Sequence, residues 1–157
     1  MPDLKSIHVV LFQPEIPQNT GNIARTCAAA GAGLHLIKPL GFSTEDRYLK
    51  RAGLDYWNLV DVFEYEDFRE FKSEYPQGNF AYLTKKAVVS YDRIDFKGDL
   101  FLIFGSETKG LPEEILAENM KRCFRIPMRP EARSLNLSNA AAIVVYEALR
   151  QNRFSSL

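Results

Sequence analysis

Short apolar runs rich in β-branched residues recur along this chain, and segments with helical character stand between them. The runs are Ile7 to Phe12, Leu34 to Ile37, Leu59 to Phe63, Phe80 to Thr84, Leu100 to Phe104 and Cys123 to Ile126. Each reads as a strand. Asn19 or Thr20 is placed to cap a helix that runs to about Ala30, where Gly31 stops it. Gln13 to Gln18 holds two prolines and reads as a loop. A short polar helix is expected from Thr44 to about Ala52, and another over Asp67 to Glu74. Pro112 to Glu118 reads as a short helix with proline at an early position, where its missing N–H costs nothing. The last helix opens at Leu137 or Ser138 and continues to about Arg150. Strands alternating with helices predict an α/β domain, with a mainly parallel sheet and helices on both faces. Ligands in such sheets bind beyond the carboxyl ends of the strands. Three segments leave strand ends with unusual composition: Pro14 to Asn22, Gly105 to Leu111, and Pro127 to Asn139.

A length of 157 residues fits one domain, 1–157, with no repeat, linker or low-complexity tract. No apolar run is long enough to span a bilayer, and Ile7 to Phe12 lacks the length and cleavage site of a signal peptide. A cytoplasmic protein without a membrane partner is expected. Cys27 and Cys123 match no metal-ligand or redox spacing and read as small buried hydrophobes. His8 and His35 fall inside strands, where a structural role is expected and no metal site can be assembled. The segment Ala140 to Tyr146 is apolar on every face of its helix, so it should be buried all round, in the core or against a second subunit. A homodimer is expected.

Charge is balanced, with 20 basic and 20 acidic residues, which counts mildly against nucleic acid as a partner. The local distribution points the other way. Arg122, Arg125, Arg129 and Arg133 form one cluster, and Arg47, Lys50 and Arg51 another. Each cluster fits phosphate contacts as well as it fits solvated surface charge.

Two glycine signatures fail on inspection. Gly105-Ser106-Glu107-Thr108-Lys109-Gly110 begins like a phosphate-binding loop, but Leu111 and Pro112 stand where lysine and a hydroxyl residue are needed. Gly31-Ala32-Gly33 lies between a helix and a strand, the reverse of the dinucleotide fingerprint, and Leu36 replaces the third glycine. Nucleotide hydrolysis and hydride transfer lose their support.

Three motifs remain. They are Asn19-Thr20-Gly21-Asn22-Ile23-Ala24-Arg25, then Phe104 to Leu111, then Arg125-Ile126-Pro127-Met128 followed by Ser134 to Asn139 and Tyr146-Glu147. Together, and in this order, they resemble the three motifs of the SPOUT superfamily of RNA methyltransferases. The resemblance covers nearly the whole chain, including Arg51-Ala52-Gly53-Leu54-Asp55-Tyr56. It is closest to the branch that methylates the ribose 2′-hydroxyl of the wobble nucleotide (position 34, C or a modified U) in tRNA anticodons. It implies S-adenosylmethionine as methyl donor, S-adenosylhomocysteine as product, a homodimer, and the tRNA anticodon stem-loop as partner. It also implies a deep C-terminal trefoil knot that forms the cofactor pocket, where general topology rules predict an unknotted sheet.

The resemblance places Leu83, Gly105, Ile126 and Ser134 against the cofactor, which needs an apolar slot ringed by backbone donors and acceptors. Leu83 and Ile126 end strands, and plain core packing also suits them. Gly105 permits close backbone approach, or serves as a turn glycine. Ser134 offers a hydroxyl and an N–H. Met128 and Leu135 are further candidate walls. Methyl transfer requires a positioned ribose hydroxyl, removal of its proton, and stabilisation of the charge growing on oxygen. Arg25 matches the family's catalytic arginine. Arginine is a poor base, so its expected work is phosphate binding or alkoxide stabilisation, with the proton relayed through substrate phosphate or water. Asn19, at or before the helix cap, is expected to contact ligand or hold the loop. Glu107 is expected to pair with Arg25 or to accept backbone N–H bonds. Asn136 and Asn139 would tie the third-motif loop together. Tyr146 and Glu147 suit the helix or the dimer better than chemistry. Three other functions fit less well: a related enzyme acting at another tRNA or rRNA site, a non-catalytic RNA-binding factor, and a small-molecule binder on a flavodoxin-like sheet.

Overall fold

The computed structural model describes residues 4–53 and 56–157. Met1 to Asp3 of the N-terminal lead, and Leu54 and Asp55 of the Arg51 to Tyr56 stretch, lie outside the described residues. The chain runs through β1 (Leu4–Phe12), α1 (Pro17–Ala30), β2 (Gly33–Ile37), α2 (Arg47–Gly53), β3 (Val62–Tyr65), α3 (Phe68–Glu74), β4 (Asn79–Leu83), β5 (Gly98–Phe104), α4 (Glu113–Glu118), β6 (Cys123–Phe124) and α5 (Leu137–Gln151). Among the described residues, six strands form one sheet in the order β3-β2-β1-β5-β4-β6, with every neighbouring pair parallel.

Alternation along the strands sends side chains to two separate cores. Ile7, Val9 and Leu11 of β1 pack with Ile23, Ala24 and Cys27 of α1 and with Ala141, Val144 and Val145 of α5. Val10, Phe101 and Ile103 face the other way, against Phe71 of α3 and Leu116 of α4. Both sheet faces are therefore covered, which is why the strands read as continuous apolar runs. Register brings the carboxyl ends level: Leu11 pairs with Phe104, Phe104 with Leu83, and Leu83 with Phe124. Four strands thus deliver their following loops to one edge of the sheet.

Several boundaries differ from those expected. The third strand is Val62–Tyr65, and Leu59 sits in a 3₁₀ turn with 72% of its surface exposed. Pairing with β2 sets this register, Leu34 with Val62 and Ile37 with Tyr65. The second helix begins at Arg47, not Thr44. The last strand shortens to Cys123–Phe124, and Arg125 continues it only as a bridge to Ser90. In α5 the core takes one face alone. Ile143 and Tyr146 keep 37% and 41% of their surface exposed.

Candidate active site

Beyond the carboxyl ends of β4, β5 and β6 the chain surrounds a cavity of about 650 Å³. Leu83 and Thr84 leave β4 into its wall, Phe104 and the Gly105–Leu111 loop leave β5, and Ile126 and Met128 follow β6. Arg133 to Leu137 and Ala140 form another side, and Ile16 and Asn19 at the start of α1 complete the rim. Leu83, Gly105, Ile126 and Ser134 therefore converge on one space, together with Met128 and Leu135. Leu83 is buried and also belongs to the core, whereas Ser134 is exposed.

Gly105 is required by the loop that it opens. A Cβ there would lie 2.1 Å from the Gly110 carbonyl carbon and 2.3 Å from the Leu111 nitrogen. The loop turns back on itself, with the Gly110 N–H donating to the Ser106 carbonyl at 3.0 Å and Gly110 at a φ of 66°. Only a residue without a side chain permits that closure.

The carboxylate of Glu107 organises the next layer. It accepts from the Glu15 N–H and the Ile16 N–H at 2.8 Å each, and from Asn19 Nδ2 at 3.1 Å. Helix α1 starts at Pro17 with no side-chain cap, and Glu107 reaches from another loop to fix the two residues just before it, Glu15 and Ile16. This corrects the expected position of Asn19. It lies within the first turn of α1, only 5% exposed, and segment 13–18 is not all loop. Asn19 Oδ1 in turn accepts from Asn136 Nδ2 at 3.0 Å. Asn136 Oδ1 caps α5 by accepting from the Ser138 and Asn139 N–H groups at 2.9 and 3.2 Å. Glu15 returns the bond across the loops: its Oε1 accepts from the Thr108 N–H and Oγ1 at 3.1 and 2.7 Å. Those bonds hold the Glu15 carboxyl below its ordinary range.

Arg25 stands apart from this group. It is exposed, six residues and roughly 9 Å along the helix axis from Asn19, and its guanidinium lies 4.9 Å from the centre of the Tyr56 ring. Of the two roles expected for Glu107, it takes the second: it accepts backbone N–H bonds from the residues just before α1 and forms no ion pair with Arg25.

The cationic groups at the cavity differ from those the sequence suggested. Lys85, Lys86 and Lys109 line it alongside Arg133. Lys85 Nζ donates to the Arg133 carbonyl at 3.4 Å, and Lys86 pairs with Glu113. Arg122, by contrast, turns inward and donates to the Phe80 carbonyl at 3.0 Å and to Asn79 Oδ1, tying the chain before β6 to β4. It leaves the phosphate-binding set. The sequence signal for Lys85 and Lys86 was their position directly after a strand's carboxyl end.

Away from the cavity, His8 Nδ1 and His35 Nε2 share a hydrogen bond of 2.9 Å, and His35 Nδ1 shares another with the Tyr65 hydroxyl at 2.9 Å. Burial, helped by neighbouring His8, pushes His35 down to about 3. Burial alone pushes the Cys27 thiol up to about 12. Among the described residues no group of three or more His, Cys, Asp or Glu side chains is placed to hold a metal ion, and no helix is long and apolar enough to cross a membrane.

A solved structure concerned with the 2-OH methylation of C/U34 on tRNA is 45% identical to this chain and superposes with a TM-score of 0.90, over 95% of this chain and 97% of that one. That of an AdoMet-bound rRNA methyltransferase from Sinorhizobium meliloti is 29% identical, with a TM-score of 0.85; the match covers 96% of this chain and 58% of that one. Fold and cavity together define a methyltransferase domain. The chain belongs to the SpoU rRNA Methylase family, whose model matches residues 6–146. The tRNA (cytidine(34)-2′-O)-methyltransferase of Escherichia coli strain K12 is 48% identical over 147 residues, which cover 92% of this chain and 93% of that protein.

Proposed function

We propose that this chain transfers a methyl group from S-adenosylmethionine to the ribose 2′-hydroxyl of the wobble nucleotide, position 34, of tRNA. The observation that carries this reading is the convergence of all three sequence motifs on one cavity of about 650 Å³, within the usual range for a cofactor site. A relative 48% identical to this chain is named for methylation of cytidine 34, and a solved structure 45% identical for methylation of C/U34 on tRNA.

The residues fit the cofactor. Leu83, Ile126, Met128 and Leu135 offer apolar walls, while the Gly105–Leu111 backbone and Ser134 offer polar groups for the ribose and the amino-acid end. Bound there, S-adenosylmethionine supplies a sulfonium-activated methyl group. Glu107 already accepts three hydrogen bonds, so its role, with Asn19, is to hold the cavity wall and not to remove a proton. Arg25 lies outside the cofactor wall and meets the RNA, where its fixed charge stabilises the developing alkoxide or a neighbouring phosphate. Lys85, Lys109 and Arg133 at the cavity hold the RNA backbone, and an anticodon loop exposes the 2′-hydroxyl that must enter.

The assembled form in this reading is a homodimer working in the cytoplasm. Support for the dimer comes from α5, where Asn139, Ile143 and Tyr146 form an exposed stripe at helical spacing with two large apolar members. The C-terminal knot belongs to the same reading. After β6 at one edge of the sheet, the chain passes the segment around Ser90 and returns to pack α5 on α1 and β1.

Purified protein incubated with S-adenosylmethionine and tRNA from a strain lacking it should add one 2′-O-methyl group at position 34, read by nucleoside and fragment mass spectrometry. A mark at another tRNA or rRNA position would move the substrate assignment, and no transfer to any RNA would remove the enzymatic one. Arg25→Ala should cut turnover at least a hundredfold while leaving cofactor affinity unchanged; normal turnover would dismiss its catalytic role.

A further inference from the structure

Glu15 does not line the cavity, yet it holds two of its walls. Its Oε1 accepts from the N–H and the hydroxyl of Thr108. The residue before Thr108 does the converse, since Glu107 accepts from the N–H groups of Glu15 itself and of Ile16. The loop after β1 and the loop after β5 thus exchange carboxylates, each satisfying the other's backbone donors.

Neither loop has slack on its far side. Gly41 backs the first loop: its N–H donates to the Pro14 carbonyl at 2.9 Å, and a Cβ at Gly41 would lie 2.7 Å from Glu15 Cα. The second loop is closed on itself where Gly105 abuts Gly110 and Leu111. Ile16 at the end of the first loop with Asn19 in the helix turn that follows it, and Glu107 and Thr108 on the second loop, face the cavity. A shift of either loop breaks bonds on both.

We infer that Glu15 is a positioning residue for methyl transfer, locking the loops after β1 and β5 into one unit so that the cofactor wall moves only as a whole. The inference rests on the function proposed above. It differs from a merely structural role in one respect: removing the Glu15 carboxylate must loosen donors that Glu15 does not itself bind. The Ile16 N–H is such a donor, held by Glu107.

The test compares Glu15→Ala and Glu15→Gln with the unaltered protein, by residue-resolved hydrogen exchange and by calorimetric titration with S-adenosylmethionine. In Glu15→Ala, exchange should rise at Thr108 and also at Ile16, and the cofactor Kd should rise about tenfold, with KM for the cofactor affected more than kcat. Glu15→Gln keeps one oxygen that can accept both Thr108 bonds, so it should restore most of the protection and affinity. Thr108→Val removes only the hydroxyl bond. It provides a milder break if Glu15→Ala does not fold, and its effect combined with Glu15→Gln should be non-additive. Exchange confined to Thr108, or an unchanged Kd, overturns the inference. Failure of the unaltered protein to bind S-adenosylmethionine would instead strike the functional reading, while the exchange data would still decide whether the loops are coupled.

Discussion

The Asn136 side-chain amide donates to Asn19 Oδ1 across 3.0 Å, joining residues 117 positions apart in the chain. Asn19 uses its own amide nitrogen to donate to Glu107. One buried side chain therefore links the loop after β5 and the segment leading into α5 to the first turn of α1. An amide suits this position because it can donate to a carboxylate and accept from a second amide at once.

Asn19→Asp keeps the shape and the acceptor but turns an oxygen toward the Glu107 carboxylate. It should weaken S-adenosylmethionine binding at least tenfold. Loss of a buried donor with a charged acceptor should also lower stability by about 1–3 kcal/mol. Calorimetry and urea denaturation measure the two effects, and a variant with unchanged affinity would show that the three-way tie does not shape the cavity.

Gly105→Ala should separate the cavity from the fold. The added carbon would lie within 2.3 Å of the backbone at Gly110 and Leu111, so the loop has to open. Strand β5 itself ends at Phe104 and need not move. The expected result is loss of cofactor binding with a stability cost on the order of 1–3 kcal/mol, followed by titration and thermal melting.

Acid stability should carry the signature of His35. Its folded value of about 3 lies below the ordinary 6.5, so the unfolded chain binds the proton more readily. Stability is therefore full above about pH 6.5 and falls as pH drops toward 3, by up to roughly 1.4 kcal/mol per pH unit for one site. His8, also lowered by burial, adds in the same direction. Denaturation midpoints measured from pH 7.5 to 4.5 should fall, and His35→Phe should flatten the slope even if it lowers the plateau.

Lys85→Ala combined with Lys109→Ala should weaken tRNA binding and make it less sensitive to salt. Each lost phosphate contact lowers the slope of log affinity against log salt by about 0.7–0.9. Filter binding between 50 and 300 mM salt reads the slope. An unchanged slope would remove both lysines from the RNA contact.

The six strands were legible because parallel strands covered on both faces must be apolar throughout. Their limits were less so. The register of β3 is fixed by β2, and Leu59 looks like a strand residue until Val62 is seen paired with Leu34. The start of α1 was hidden for a related reason: Glu107, which fixes the residues just before it, lies 91 residues from Ile16. Arg122 was read with its charged neighbours because its partner, the Phe80 carbonyl, is 42 residues away. Lys85 and Lys86 look like any polar loop until β4 is known to end at the cavity. The residues that converge there were found through motif resemblance, not through periodicity, since no local pattern says that Leu83 and Ser134 face one space.

The contribution of α5 also bears on how the protein is made. Every strand leaves the ribosome before α5 does, yet Ala141, Val144 and Val145 cover β1 and α1, and Arg133 to Leu137 finish the cavity wall. For a few seconds of synthesis, at about 5–20 residues per second, the nascent chain carries all six described strands with one apolar face covered only in part, by α1. On the proposed reading, the methyl donor has nowhere complete to sit in that interval. It can reward only a chain whose final helix has already docked, so ligand supply cannot rescue an early misfold.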